Sequence, residues 1–90
     1  MENRAVFGDG HIETILWYSI SDEGYRIEFM TESGRYLLVI GYEEYTHPKF
    51  SNGRYRKKVH RWYRYEDTAL FEGWRDCPYQ FIDHIELKTI

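Results

Sequence analysis

The sequence lacks the features that would identify an exported or membrane-embedded protein. It has a single cysteine, Cys77, which cannot form an internal disulfide, whereas small secreted domains usually carry several. No apolar stretch approaches the ~18 residues of a membrane span. The first twenty residues also lack the basic start and unbroken apolar run of a signal peptide. We therefore expect a cytoplasmic protein that does not enter a membrane.

The chain also lacks a recognisable catalytic, metal-binding or cofactor-binding motif. A zinc site needs three or four converging ligands, and only His84 and Glu86, joined by His60 or Cys77, offer the beginning of one. No local base activates Cys77, and the neighbouring Asp76 would raise the pKa of its thiol. We expect no enzymatic activity, no cofactor and no bound metal.

The chain has 90 residues and a mass of 11.0 kDa, which suits one domain spanning 1–90. A chain of this length buries only roughly 60–65 % of its unfolded surface, so there is room for one core. Aromatic residues make up 19 % of the sequence, with nine Tyr, five Phe and three Trp. Such a composition is typical of a folded protein and not of a disordered one.

Alternation of apolar and polar residues with a period of two predicts strands, because successive side chains of a strand point to opposite faces. The predicted strands are 11–20, 25–31, 35–42 and 54–65. Short turns at Gly24 and Gly34 separate the first three, which favours an antiparallel meander, since parallel neighbours need a long crossover. The segment 43–53 contains Pro48 and is predicted to be an exposed loop. The predicted core contains Trp17, Phe29 and Tyr36.

The pattern after Glu66 is ambiguous. One interpretation has a helical turn at 67–71, a short helix starting at Pro78 and a fifth strand over 84–90, and the other has a helix throughout the last segment. We predict a mainly β fold, α+β at most. It consists of a single antiparallel sheet of four to five strands in a meander, with at most one or two short helical turns between residues 67 and 83.

Charge is distributed very unevenly along the chain. Seven basic residues and no acidic ones lie between Lys49 and Arg64. The other 74 residues carry 5 basic and 15 acidic side chains, a net charge of -10. Within the predicted strand 54–65 the cations alternate with Tyr and Trp, residues that are enriched at binding hot spots. The predicted binding residues are Arg54, Arg56, Lys58, His60, Arg61, Trp62, Arg64, Tyr45 and Phe50.

Three interpretations of this basic strand are open. In the first, it pairs across the sheet with Glu28, Glu32, Glu43 or Glu44, each pair contributing ~0.2–1 kcal/mol. In the second, it binds an acidic surface of a partner protein. In the third, it binds RNA or single-stranded DNA, because cations contact phosphates and aromatic rings stack on bases. The carboxylates elsewhere in the chain would oppose that third interpretation, since they would repel a polyanion.

We expect a small non-enzymatic protein-protein interaction or inhibitor module, with single-stranded nucleic-acid or RNA binding as the alternative. The expected partner is an acidic protein surface, or a nucleic-acid-binding protein that the acidic remainder engages as a mimic of the polyanion. A second copy joined through a sheet edge is a further expected partner. The profile resembles that of small phage and mobile-element proteins that inhibit host defence systems, the anti-CRISPR proteins among them. That likeness is one of size and charge only.

Overall fold

The computed structural model describes residues 2–46 and 54–88, which form eight β-strands in two antiparallel sheets. The small sheet consists of β1 (Arg4–Phe7), β2 (Ile12–Thr14) and β8 (Ile82–Glu86), in the spatial order β2-β1-β8. The large sheet consists of β3 (Trp17–Ile20), β4 (Arg26–Thr31), β5 (Gly34–Thr46), β6 (Arg54–Asp67) and β7 (Glu72–Asp76), in chain order. No helix that could span a bilayer occurs in the described ranges.

The prediction of a mainly β, antiparallel fold is confirmed, but the prediction of a single sheet is wrong. The predicted strand 11–20 is broken, because the chain passes from one sheet to the other at Ile15 and Leu16. The backbone N–H of Ile15 donates to the carbonyl oxygen of Asn3 at 2.9 Å, beside β1. The next N–H, that of Leu16, donates to the carbonyl oxygen of Met30 in β4 at 2.8 Å. Consecutive residues therefore bond to different sheets, which is how strands turn corners between packed sheets.

The hydrophobic core lies between the two sheets. Its buried members are Ala5, Phe7, Ile15, Phe29, Tyr36 and Ile82. Phe29 and Tyr36 of the large sheet stack with ring centroids 5.4 Å apart, and Phe7 of the small sheet contacts Tyr36 edge-on at 5.9 Å. The predicted core positions of Phe29 and Tyr36 are thus confirmed.

Trp17 was predicted to lie in the core, and this prediction is wrong, because its side chain is 47 % exposed. In the register of β3 with β4, Tyr18 lies opposite the buried Phe29 and Trp17 lies opposite Met30. Directly opposed side chains share a face of the sheet. Tyr18 is therefore on the side that the small sheet covers, and Trp17 is on the open side.

The last quarter of the chain forms β7 and β8 and no helix within the described residues. A helix throughout this segment is therefore wrong, and so are the helical turn at 67–71 and the short helix starting at Pro78. The predicted fifth strand 84–90 corresponds to β8, which spans 82–86 and belongs to the small sheet. A tight turn precedes it, in which the N–H of Phe81 donates to the carbonyl oxygen of Pro78 at 3.0 Å. Gln80 in this turn has a left-handed backbone, with φ of 58°. A Cβ on Gly8 would overlap the carbonyl of Gln80, so this close approach requires glycine.

The strands β5 and β6 extend well past their neighbours in the large sheet. β4 pairs with β5 only over 34–39, and β7 pairs with β6 only over 63–67. Residues 40–46 and 54–61 continue as a two-stranded antiparallel structure, which we call the ribbon. The radius of gyration is 15.9 Å, against about 12–13 Å for a compact domain of this length. The ribbon therefore projects from the core.

Candidate interaction surface on the ribbon

The predicted strand 54–65 is confirmed as β6, which begins at Arg54 and continues to Asp67. The predicted loop 43–53 is corrected in its first part, because 43–46 belong to β5. Residues 47–53, including the predicted binding residue Phe50, lie outside the described residues. Tyr45 and Arg54 are placed at the outer end of the ribbon by the pairing of their strands.

One face of the large sheet leads from the core out along the ribbon. Directly opposed side chains on this face are Leu38 and Trp62, Ile40 and His60, Tyr42 and Lys58, and Glu44 and Arg56. Leu38 is buried, whereas Tyr42 is 51 % exposed. The same face is thus a packing surface at one end and a solvent-exposed surface at the other.

Trp62 lies where the packing surface begins. Its indole is half-buried and meets Phe29 edge-on, with ring centroids 6.3 Å apart. Arg64 is exposed and lies opposite Tyr36, closer to the core than the ribbon. Of the predicted binding residues whose side chains are described, Arg56, Lys58 and His60 share one face of the ribbon and Arg61 lies on the opposite face. Trp62 and Arg64 lie at the base of the ribbon.

Two of the cations on the ribbon face carboxylates of β5. The guanidinium of Arg61 donates to Glu43 at 2.6 Å, and that of Arg56 lies 3.9 Å from Glu44. All four side chains are more than half exposed. Exposed ion pairs of this kind contribute about 0–1 kcal/mol, so these pairs restrain the side chains more than they stabilise the fold.

The first interpretation expected these glutamates to pair with the cations of the basic strand. Glu43 and Glu44 do so, but Glu28 and Glu32 do not. Glu28 lies 3.4 Å from Arg35 of the neighbouring strand β5. Glu32 makes no ion pair with any residue that the structure describes. The neutralisation of the basic strand is partial.

Lys57 and Lys58 of the ribbon keep their charge available to solvent. Within 2–46 and 54–88, Lys57 and Lys58 have no carboxylate within 4.0 Å. Five basic residues and two acidic ones lie in the ribbon sequence, a net charge of +3. The guanidinium of Arg56 also covers the ring of Tyr42, 4.8 Å from its centroid. The ribbon is thus a cationic arm on a chain whose net charge is -3.

An open groove of about 530 Å³ lies at the base of the ribbon. Its walls include His60 and Trp62 of β6 and the turn that carries Tyr79 and Gln80. Tyr79 is 92 % exposed and is a prominent side chain of this groove. The sequence pattern did not single out Tyr79, because its exposure depends on a turn that the sequence does not indicate. The left-handed position of that turn is occupied by Gln80, whereas Gly or Asn usually marks such a position.

Cys77 and His84, the side chains considered above for reactivity or metal binding, are held by packing and by hydrogen bonds. Burial raises the pKa of the Cys77 thiol to about 11, which keeps it protonated at neutral pH. The ring nitrogens of His84 contact Asp83 at 2.6 Å and Glu86 at 3.1 Å, and these hydrogen bonds raise the pKa of His84. In the described part of the chain, no three His, Cys, Asp or Glu side chains are grouped to hold a metal ion.

No protein-family model, curated protein or solved structure matches the chain significantly. The function has to be inferred from the geometry of the ribbon and its surroundings.

Proposed function

We propose that the protein is a non-catalytic binding module that uses the ribbon to contact an acidic surface of a partner protein. The observation that carries this proposal is the projection of a cationic, two-stranded arm beyond the large sheet, with Lys57 and Lys58 free of carboxylates among the described residues. Such an arm presents its charge on an exposed surface. It is suited to recognition by surface complementarity.

The surroundings of the aromatic rings favour a protein partner over single-stranded nucleic acid. Stacking on bases requires accessible ring faces next to the cations. The guanidinium of Arg56 lies over one face of the Tyr42 ring, which is 51 % exposed, and Trp62 is packed against the core. Glu43 and Glu44 also stand within the ribbon, where they would repel phosphates at distances below a Debye length, about 8 Å at physiological salt.

The backbone of the ribbon provides a second means of recognition. Beyond the contact of Cys77 with Trp62, the outer edge of β6 has no strand beside it among the described residues. An extended acidic segment of a partner would add to this edge through main-chain hydrogen bonds, a mode known as β-augmentation. Its carboxylates would then lie beside the alternating cations of β6.

An inhibitory role follows the same geometry, since an arm that occupies an acidic surface blocks other ligands of that surface. A cytoplasmic location and a phage or mobile-element source are proposals that rest on composition, size and charge alone.

The test is affinity capture from native cytosol with the tagged chain, with and without nuclease, using wild type, Lys58→Glu and the matched control Lys88→Glu. Both substitutions reverse one exposed lysine, but only Lys58 is on the ribbon. We expect a protein partner that survives nuclease, is retained by the control and binds the Lys58→Glu variant roughly tenfold more weakly.

Loss of the partner on nuclease treatment would contradict the proposal. So would a steep salt dependence of oligonucleotide binding, with a log-log slope near about -3.5 for five engaged cations. Equal capture by Lys58→Glu and Lys88→Glu would show that a different surface binds.

A further inference from the structure

The edge strand β3 differs from every other described strand that borders a sheet. Its sequence is Trp-Tyr-Ser-Ile, without charge, proline or glycine. The other borders carry charges: Glu13 in β2, Asp83 and Glu86 in β8, Glu72 and Asp76 in β7, and the cations of the ribbon. Charged side chains on edge strands prevent edge-to-edge pairing, and β3 has no such protection.

The surface around β3 is also unusually apolar. Large apolar side chains there are between 37 % and 59 % exposed, and they are Ile12, Leu16, Trp17, Tyr18, Ile20 and Tyr25. Ile12 belongs to β2 of the small sheet, and the others come from β3 or from the segments on either side of it. Trp17 lies on the open face of the large sheet, whereas Tyr18 and Ile20 share the opposite face, so apolar side chains border β3 on both faces.

The hydrogen-bonding pattern shows which backbone groups of β3 face outward. The N–H of Ser21 donates to the carbonyl oxygen of Arg26 at 2.9 Å, so Ser21 bonds inward to β4. Bonded and non-bonded positions alternate along an antiparallel pair. In the continuous register that runs from Trp17 and Met30 to Ser21 and Arg26, Trp17 and Ser19 therefore also bond inward, and the N–H and C=O groups of Tyr18 and Ile20 point away from the sheet. The inward bond of Leu16 lies outside this register.

We propose that β3 pairs antiparallel with β3 of a second copy of this chain, about a two-fold axis at Ser19. In this register Tyr18 of each copy lies opposite Ile20 of the other, and the outward groups of both residues form four main-chain hydrogen bonds. The two serines meet at the centre, where their small side chains allow close approach. Because β3 contains no charged residue, no like charges meet in this register, and the edge is complementary to itself.

The area involved fits a weak, reversible dimer. Leu16, Trp17, Tyr18 and Ile20 each leave on the order of 100 Å² in solvent, so pairing of this edge buries at most roughly 800 Å² of side-chain surface over two copies, in the range of weak, transient contacts. We expect a dissociation constant on the order of 100 µM to 1 mM. The two large sheets would then form one continuous sheet of ten strands, with both small sheets on the same side.

The test is sedimentation equilibrium over a concentration series, with wild type and Ser19→Lys, Ser19→Glu and the control Tyr79→Lys. Ser19 is exposed and lies opposite Glu28 in β4, so a lysine at this position suits the monomer. Across the two-fold axis, however, the charged residue at position 19 lies opposite the same residue of the second chain. Like charges in contact cost several kcal/mol. Ile20→Lys is a second variant of the same edge, and circular dichroism confirms the fold of each.

We expect a wild-type dimer, an unchanged control and a weaker dimer of Ile20→Lys. The dissociation constant should rise at least about tenfold in Ser19→Lys and in Ser19→Glu, each measured by itself. An equimolar mixture of those two variants should dimerise again, because opposite charges then meet at the axis. A wild type that stays monomeric well above its expected dissociation constant would overturn the proposal. So would a dimer that is unaffected by Ser19→Lys and Ile20→Lys, or a mixture that fails to associate.

Discussion

Trp62→Ala should strongly destabilise the protein, whereas Trp17→Ala should not. Trp62 is half-buried and contacts Phe29, while Trp17 is 47 % exposed on the open side of β3. Truncating a buried Trp costs about 3–5 kcal/mol, and aromatic pairs add about 0.5–1.5 kcal/mol. For the partial burial of Trp62 we expect a loss of about 2–4 kcal/mol, and for Trp17 less than about 1 kcal/mol.

The measurement is urea unfolding followed by far-ultraviolet circular dichroism, at low micromolar concentration so that self-association does not contribute. A domain of this size has a total stability of about 5–13 kcal/mol, so Trp62→Ala should remain folded at 25 °C. Its melting temperature should fall by roughly 10–25 °C. If the two variants lose equal stability, or if Trp17→Ala loses more, the placement of the small sheet over Trp62 is refuted.

Two further predictions concern polar groups. Because burial raises the pKa of Cys77 to about 11, alkylation of the folded chain at pH 8 should be more than about 100-fold slower than in urea, and its rate should rise steadily toward pH 11. A rate equal to that of the unfolded chain would show that the thiol is not buried. Burial raises the pKa of Glu13, but hydrogen bonds from Thr31 at 2.6 Å and from Ser33 and His11 outweigh it and lower the pKa below the unfolded value of 4.5. Its stabilising effect is therefore present above 4.5 and lost as the pH falls through the folded pKa. Glu13→Gln should cost about 1–2 kcal/mol at pH 7 and less at pH 3 in urea titrations, and an equal cost at both pH values would contradict this.

Local alternation was sufficient to predict β4, β5 and β6, whose partners are neighbours in the chain, but not β7. The segments 25–31 and 54–65 were placed within two residues of β4 and β6. Alternation also shows which residues share a face. It does not show which face is covered, because that depends on where a strand stands in its sheet. Trp17 was assigned the wrong environment for this reason.

The second sheet could not be predicted from local pattern. β1 has only four residues, and the partner of Arg4 in β8 is Glu86, which lies 82 positions further along the chain. The break at Ile15 leaves no trace in the alternation, since the residue is apolar in either arrangement. The two strands that meet at this corner, β2 and β3, therefore resemble one long strand in the sequence.

The charge of the candidate surface was visible in the sequence, but its partial neutralisation was not. Pro48 suggested that the loop began at Glu43, which shortened the predicted hairpin. The longer pairing of β5 with β6 is what brings Glu43 to Arg61 and Glu44 to Arg56. Whether a carboxylate meets a cation thus depended on the length of the hairpin, which the turn signals left undetermined.

The pairing of β1 with β8 also has a consequence for the order in which the molecule assembles. The strands of the large sheet pair only with their neighbours in the chain, so they can zip together through short loops. The small sheet must instead join segments from opposite ends of the sequence, and closing so long a loop carries a high entropic cost. We infer that the meander of the large sheet forms first and that the small sheet packs on it last. The side chains of Phe29 and Tyr36 then remain exposed to water until that final step.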